Sequence, residues 1–593
     1  MARDFFYSVY QMNSKLEQLA IQVDAINSRD GAGPSTPEDG TTASYISQTS
    51  SLTRKMLDSL YGSATIVAKA LSDIARRPEI HPVKPGDSIQ EAIDAAAGKY
   101  PIRLLNGTHK PTGTITVPSG TTFEGEPGAI LDLSNTSDGG SFKGGGTTST
   151  PVPLSSDALA DTSTVTLSKS IPGLAVGDFL KISSDKVFGS TNQKEGEIGR
   201  VASISGTTVT LEDPLSSNYR MADSPVAIRM VMAENVSFRN LIIKGPELAT
   251  RGTVGFYFTG MYNVRFQNIT TDNLTQGGVY ISDCIAVDFL SCSFNDALRA
   301  GFGYGIAILY STQDVSITNC FGRKLRHLVT VGGGTSSSGI PRRISVQGCV
   351  GSQLDEAGFD VHPAGEFITF TGCHVKGSAV DGFVLQGGST TVSGCIVENV
   401  VRHGIFIQPL TIRGVTSTII GNDIRMAGGV AILMSMNAGW TGSGHFVCTG
   451  NNVYFCARGI EANSGGVVSA NYTGISVTGN VIFTNNGAGI KMSGFPSSSV
   501  TGNRVRIQAE GQHGISLINC PVSTISGNAI DGRSLADRCI NLSGSDNTAV
   551  SGNSLYRANI GVFLGDDTNI AYSGNANTCA TKLRQGGTAL PNI

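Results

Sequence analysis

Residues 323–403 hold four of the chain's eight histidines, His327, His362, His374 and His403, in a chain whose charged residues make up only 15% of the total. Asp360 and His362 stand two apart, so on an extended strand both side chains leave the same face. Asp355 and Glu356 place two carboxyls just before them; Asp381 follows, then Arg402 and His403, while Arg326 and His327 come earlier. Two kinds of bond cleavage suit this set. A protonated and an ionised carboxyl hydrolyse a glycosidic bond, standing about 5–5.5 Å apart for retention or about 6.5–9.5 Å for inversion. Glu356, Asp360, Asp355 and Asp381 can supply that pair. β-Elimination instead needs a base and a cation that neutralises a substrate carboxylate, and His327 or His362 with Arg326 can supply these. Acids outnumber bases around Asp360, which favours hydrolysis. A single Asp or His on an outward strand position is ordinarily just a solvated side chain; the clustering marks a candidate site.

The elements that must position these groups are short repeated strands. From about residue 255 a glycine followed by alternating apolar residues recurs, as in Gly278-Val279-Tyr280-Ile281, Gly305-Ile306-Ala307-Ile308, Gly358-Phe359-Asp360-Val361, Gly404-Ile405-Phe406-Ile407 and Gly514-Ile515-Ser516-Leu517. Alternation with period two is a strand with one face buried. The second residue after each glycine then points outward. That column holds Tyr257, Tyr280, Ala307, Thr330, Asp360, Val384, Phe406 and Ala431, and the fourth-residue column holds His362, Gln386 and Gln408. Tyrosines, amides, an acid and a histidine along one face suit sugar binding, because aromatic faces stack on sugar rings and amides bond hydroxyls. Tyr257, Tyr280, Arg326, Gln386, Arg402, His403, Phe406 and Gln408 are the expected substrate contacts.

A second ladder keeps the same phase: Asn268, Cys292, Cys320, Cys349, Cys373 and Cys395, then Asn422, Asn451, Asn480, Asn503, Asn528, Asn553 and Asn575. Stacked coil on coil, these would form an internal column in which each buried amide bonds the turn above and below. Cysteine substitutes there as a small buried residue, so free thiols are expected. Short strands at this period, without helices between them, specify a parallel β-helix. The leucine pattern of leucine-rich repeats is absent, and a propeller needs a longer period.

The entrance to the repeat is more specific. Val83-Lys84-Pro85-Gly86-Asp87-Ser88-Ile89-Gln90-Glu91-Ala92-Ile93-Asp94-Ala95-Ala96 reads as a short helix starting near Ser88, followed by extended segments at 102–105, 114–118 and 121–125. Residues 84–131 resemble the start of the pectate-lyase-like right-handed parallel β-helix of bacteriophage tailspikes. The resemblance implies an all-β solenoid that binds and depolymerises a bacterial capsule or O-antigen by endo-cleavage. It also implies a homotrimer on the virion tail, joined to other tail proteins through its N-terminal region. It covers hydrolases and lyases alike. A non-catalytic adhesin and a polysaccharide epimerase are further readings on the same fold.

Before the solenoid, Phe5, Val9, Met12, Leu16, Leu19, Val23 and Ile26 form an a/d heptad seam, and Leu57, Leu60, Ala64, Val67, Leu71 and Ile74 a second, closed by Pro78. Such seams are coiled coil and imply self-association. The expected order is a coiled-coil stalk over 1–28, a linker over 29–50, a second helical segment over 51–78, a capping helix with the first coils over 79–145, a small β insertion over 146–222, and the main β-helix over 223–593. The insertion is read from extended segments near 165–167, 179–182, 200–204 and 208–211.

Glycine is enriched, at 75 of 593 residues, without the three-residue period of collagen. A net charge of -3 gives no electrostatic case for nucleic acid or an anionic membrane surface. The N-terminus does not read as a signal peptide, and no apolar run is long enough to span a membrane. No cysteine or acidic spacing reads as a metal site, so no cofactor is expected.

Overall fold

The structure, a computed structural model, describes residues 80–134, 139–188, 192–246, 252–297, 301–332, 338–410, 415–436, 444–465, 472–586 and 588–589. Both heptad seams lie outside the described residues.

From His81 the chain winds into coils of three short strands. Each strand pairs in parallel with its counterpart one turn on, which builds three long parallel sheets. The helix Ile89–Ala96 closes the first coils. The Ser88 hydroxyl caps it by accepting from the Glu91 amide, and its buried face is Ile89, Ala92, Ile93 and Ala96. An antiparallel sheet interrupts the winding between Thr147 and Val231, with its longest strands at Phe179–Val187 and Lys194–Ser205.

Inward residues stack in files. Phe238, Phe266 and Phe289 lie face to face on successive coils, with ring centroids 5.6 and 4.7 Å apart. The Cys–Asn ladder forms the column expected of it from Cys292 to Asn575. Each Asn side-chain oxygen accepts from the backbone amide of the residue one coil earlier, as Asn480 Oδ1 does from Asn451 at 2.9 Å. The side-chain amides before Asn575 then donate to the same partner file and to a carbonyl of the earlier coil. Every buried polar atom of the amide is thereby satisfied. All eleven cysteines are buried and free. In their part of the column a thiol sulfur accepts in place of the amide oxygen, as Cys349 does from the Cys320 amide.

Asn268 does not belong to that column. Its neighbour Ile269 fills it, aligned with Cys292, and Asn268 is exposed. The reason is backbone conformation. The residue before each ladder position must be left-handed. Gly348, Gly372 and Gly394 supply that at φ 61–62°, whereas Asn240, Asn268, Ser291 and Asn319 supply it at φ 53–54°. Asn is among the few side chains that tolerate this region, so Asn268 makes the turn and leaves the core to isoleucine.

The antiparallel sheet is tied to the solenoid by Arg342, which is completely buried. Its guanidinium meets Glu366 at 2.8 Å, Ser217 Oγ at 2.8 Å and Glu197 at 3.7 Å. Glu197 in turn accepts from the amides of Ser216 and Ser217 and from the Tyr219 hydroxyl. Removing one partner of such a set strands a buried charge. Arg342→Ala is expected to cost about 3–5 kcal/mol in unfolding free energy measured with denaturant. In the ladder, Asn480→Ala is expected to cost about 1–3 kcal/mol. Asn480→Cys should cost less, because a sulfur restores an acceptor for the Asn451 amide. The same denaturant series ranks the two.

Candidate active-site cleft

Five strands of the third sheet build the site: Tyr304–Leu309, His327–Val331, Phe359–Val361, Phe383–Leu385 and Ile405–Ile407. Their inward residues, among them Val329, Phe359, Phe383 and Ile405, are anchored in the core. The residues between them face out and align coil by coil as Tyr257, Tyr280, Ala307, Thr330, Asp360, Val384 and Phe406. The next member is Leu433, not Ala431. Ala431 takes the place that glycine holds in the preceding coil and is buried, so counting from Gly429 misplaces it by two residues.

A cleft of about 530 Å³ opens on this face. Arg326, His327, Glu356, Asp360, His362, Asp381, Gln386, Arg402, Phe406 and Gln408 line it. The sequence expected all ten. Of the remaining four, Asp355 is exposed on the turn outside the cleft. Tyr257 and Tyr280 lie on the same column in earlier coils. Tyr257 is 39% exposed, while Tyr280 is only 7% exposed, packed against Tyr257 and Tyr304, which removes its ring as a sugar platform. His403 is buried beneath Phe406, and its Nδ1 accepts from the Val430 amide.

Asp360 is the hub. Although it points away from the core, it is only 5% exposed. Its Oδ2 lies 2.9 Å from His362 Nε2, 3.3 Å from the Thr330 hydroxyl and 3.7 Å from His327 Nε2. Burial pushes the carboxyl up, but the charge and hydrogen bond of His362, the charge of His327 and the Thr330 hydroxyl outweigh it, and Asp360 titrates below its ordinary value. His362 shows the reverse balance. Burial alone would lower it; Asp360 beside it raises it above the ordinary histidine value. Gly332 makes room for this arrangement, since a Cβ there would stand 3.1 Å from that of His362, and its φ is +84°.

His327 is 3% exposed, and burial pushes it below the ordinary histidine value although Asp360 and Glu356 pull the other way. Its Nδ1 lies 2.8 Å from the Ala357 carbonyl, which can only accept, so Nδ1 carries a proton and in the neutral ring Nε2 carries the lone pair. Nε2 faces Glu356 at 3.5 Å and Asp360 at 3.7 Å. The two carboxylate oxygens therefore stand no farther apart than the sum of those distances, a range that includes the retaining spacing and only the near edge of the inverting one. Arg326 pairs with Glu356 at 2.9 Å and bonds the Tyr304 hydroxyl at 2.9 Å, and the Tyr304 ring stacks on His327 with centroids 5.7 Å apart. Across the cleft, Arg402 grips Asp381 with both ends of its guanidinium, and the His403 amide donates to the same carboxylate. Asp381 is thus saturated with donors and positions Arg402 over Phe406.

Tyr304, Thr330 and Gly332 were not among the expected site residues. Tyr304 precedes Gly305 and aligns with His327. Asp381 and His403, both expected, precede their own glycines in the same way, so Tyr304 belongs to a column just before the glycine that contributes to the site.

Residues 255–408 match the family model described as right-handed beta helix region, and residues 435–576 match that of the periplasmic copper-binding protein NosD. The chain is a right-handed parallel β-helix. Its likeness to phage tailspike depolymerases, read above from residues 84–131, is borne out. The chain is 24% identical over 224 residues to the capsule K1-specific depolymerase of Klebsiella phage K64-1, and this covers 36% of the chain. It spans about a quarter of the length of that relative. The solved tailspike gp61 of Pseudomonas phage phi297 aligns at a TM-score of 0.53 and 17% identity over 81% of this chain and 72% of its own. Tailspike protein gp49 of Pseudomonas phage LKA1 aligns at 0.47 and 18% identity over 82% and 73%. Among the described residues of this β-helix, no three His, Cys, Asp or Glu side chains stand together as a metal site, and no helix is long and apolar enough to cross a membrane.

The Asp360–His362 pair carries a pH signature. Asp360, with its lowered value, stabilises the fold above the ordinary carboxyl range, and that contribution is lost as pH falls through its folded value. His362, with its raised value, stabilises below about 6.5, and that contribution is lost as pH rises through its folded value. In Asp360→Asn the raising charge is gone while burial remains. His362 is then expected to titrate below 6.5 by NMR. A titration that stays above 6.5 would show that Asp360 is not what holds the proton.

Proposed function

We propose that the chain is an endo-acting depolymerase of a bacterial surface polysaccharide, carried on a phage tail as a homotrimer whose N-terminal region meets the other tail proteins. The observation that carries this reading is the cleft, where His362, held at 2.9 Å by the buried Asp360 carboxylate that raises it, shares one exposed face with a solvent-reaching Glu356. The name of the phage relative supports the substrate class. Gln386, Gln408, Phe406 and Arg402 extend the cleft along the coil axis, as binding of an extended glycan requires.

Hydrolysis fits this geometry in a specific way. Asp360 keeps His362 protonated, and His362 gives that proton to the leaving glycosidic oxygen. Glu356 activates water or attacks the anomeric carbon from the other side. Asp360, committed to His362, His327 and Thr330, acts as the positioning carboxylate. One observation favours elimination instead: neutral His327 presents an unprotonated Nε2 to the cleft, and Arg326 beside it can pair with a uronate carboxylate.

Product analysis on host capsule or O-antigen separates these readings. Saturated oligosaccharides, lost by about 10²–10⁴-fold in rate in Glu356→Gln and in His362→Gln, are expected. An ultraviolet-absorbing unsaturated end that disappears in His327→Gln would assign a lyase. Tight binding without products would assign an adhesin, and altered residue composition at constant length an epimerase.

A further inference from the structure

The second sheet carries a groove that the cleft does not explain. Its outward column over the later coils reads Tyr454, Phe483, Arg506, Asp531 and Tyr556, aligned strand to strand. Arg504 lies two residues before Arg506 on the same strand and faces the same way. Arg504, Arg506, Asp531, Tyr556 and Arg557 line a hollow of about 500 Å³. The Arg506 strand lies six coils beyond that of Asp360 and on another sheet, so at about 4.8 Å per coil the two sites stand roughly 29 Å apart along the axis.

The charge in this groove is not balanced. Asp531 is its one carboxylate, and it is already used. Arg557 holds it with both ends of its guanidinium, and the Arg533 amide donates to it at 3.0 Å. Among the described residues no carboxylate lies within ion-pairing distance of Arg504 or Arg506. Arg506 rests its guanidinium over the Phe483 ring, and its Nε is shielded from solvent without a hydrogen-bond acceptor. The guanidinium groups of the exposed Arg504 and the half-buried Arg506 offer donors to a bound oxygen. Beside it Tyr556, 40% exposed, offers a ring to solvent.

We infer that this groove is a second glycan site that binds acidic saccharide, with Arg504 and Arg506 taking a sugar carboxylate and Tyr556 stacking on a ring. Guanidinium groups pair with carboxylate in bidentate fashion, and an aromatic neighbour supplies the apolar face of a pyranose. The rungs repeat at about the length of one sugar unit, so a chain lying along the axis meets equivalent positions on successive coils. Nucleic acid is disfavoured by a chain whose net charge is -3, which offers little counterion release. The site would hold a strand of polymer while the distant cleft works on it. It rests on the glycan-binding part of the proposed function but not on cleavage.

The test uses the full chain carrying Glu356→Gln and oligogalacturonate as probe, with neutral malto-oligosaccharide of equal length and a single-stranded oligonucleotide as comparators. Calorimetry should show oligogalacturonate binding that weakens at least tenfold in Arg504→Gln/Arg506→Gln and severalfold in Tyr556→Ala, with melting unchanged. His362→Gln should leave it unaltered. No binding at the highest soluble concentration, equal binding of the neutral oligomer, tighter binding of the oligonucleotide, or indifference to the arginine pair would each overturn the inference. Failure of the wild-type chain to cleave capsule, with this binding intact, would instead count against the cleft.

Discussion

The rung-to-rung register of the parallel sheets is the constraint on which the rest depends. Each strand donates and accepts hydrogen bonds with the coils on both sides, so a residue's position in its strand fixes which residues lie above and below it. A one-residue slip would turn every side chain to the other face. Two files hold the register from within. Stacked phenylalanines pin the early coils by shape, and the Cys–Asn column pins the middle and late coils by hydrogen bonds that close only when the rungs align. A buried amide without its partner costs more than a missing methyl group, so the asparagine file specifies alignment more sharply than an apolar file would.

That rigidity lets short strands carry a precise site. Asp360 sits on a strand of three residues, Phe359–Val361, with both neighbours locked in the core. The carboxylate cannot withdraw from His362, His327 and Thr330, because moving it means moving Phe359 and Val361. The cost of burying a charge is met by groups arriving from one coil before and from two residues along the same strand. The raised histidine and the lowered carboxylate are two expressions of one interaction.

Much of this was legible in the chain itself. Period-two alternation gave the outward column from Tyr257 to Phe406 residue by residue, since a strand offers only two faces. Of the ten expected residues that meet in the cleft, those on or just after the strands follow from it, while Arg326, Glu356, Asp381 and Arg402 come from the turns before the strands. What failed was subtler. Asn268 and Ala431 were misplaced because Asn can do the work of Gly in a left-handed turn and Ala can take a glycine's place at a strand start. Tyr304 was overlooked because the alternation was counted from the glycine onward, which leaves out the strand residue before it. The burial of Asp360 was also not expected. An outward position is open to solvent in isolation, and whether two imidazoles cover it depends on turn conformations, such as that of Gly332, which alternation does not encode.

The sheet that holds Gln313–Thr318 carries mainly Ser and Thr outward, as in Ser316, Ser345, Thr369, Thr391 and Thr418, whose short side chains neither attract nor exclude a ligand. Against that background the distribution of arginine is informative. Arg326 and Arg402 are each neutralised by a carboxylate on an adjoining coil, which keeps the cleft near zero net charge and leaves its polarity to individual protons. Arg504 and Arg506 are not. A surface that spends carboxylates to quench arginines at one place and leaves them unquenched at another separates chemistry from retention. The first place needs protons held at defined atoms, and the second needs only a standing positive field that a long anionic chain can cross without being fixed in register.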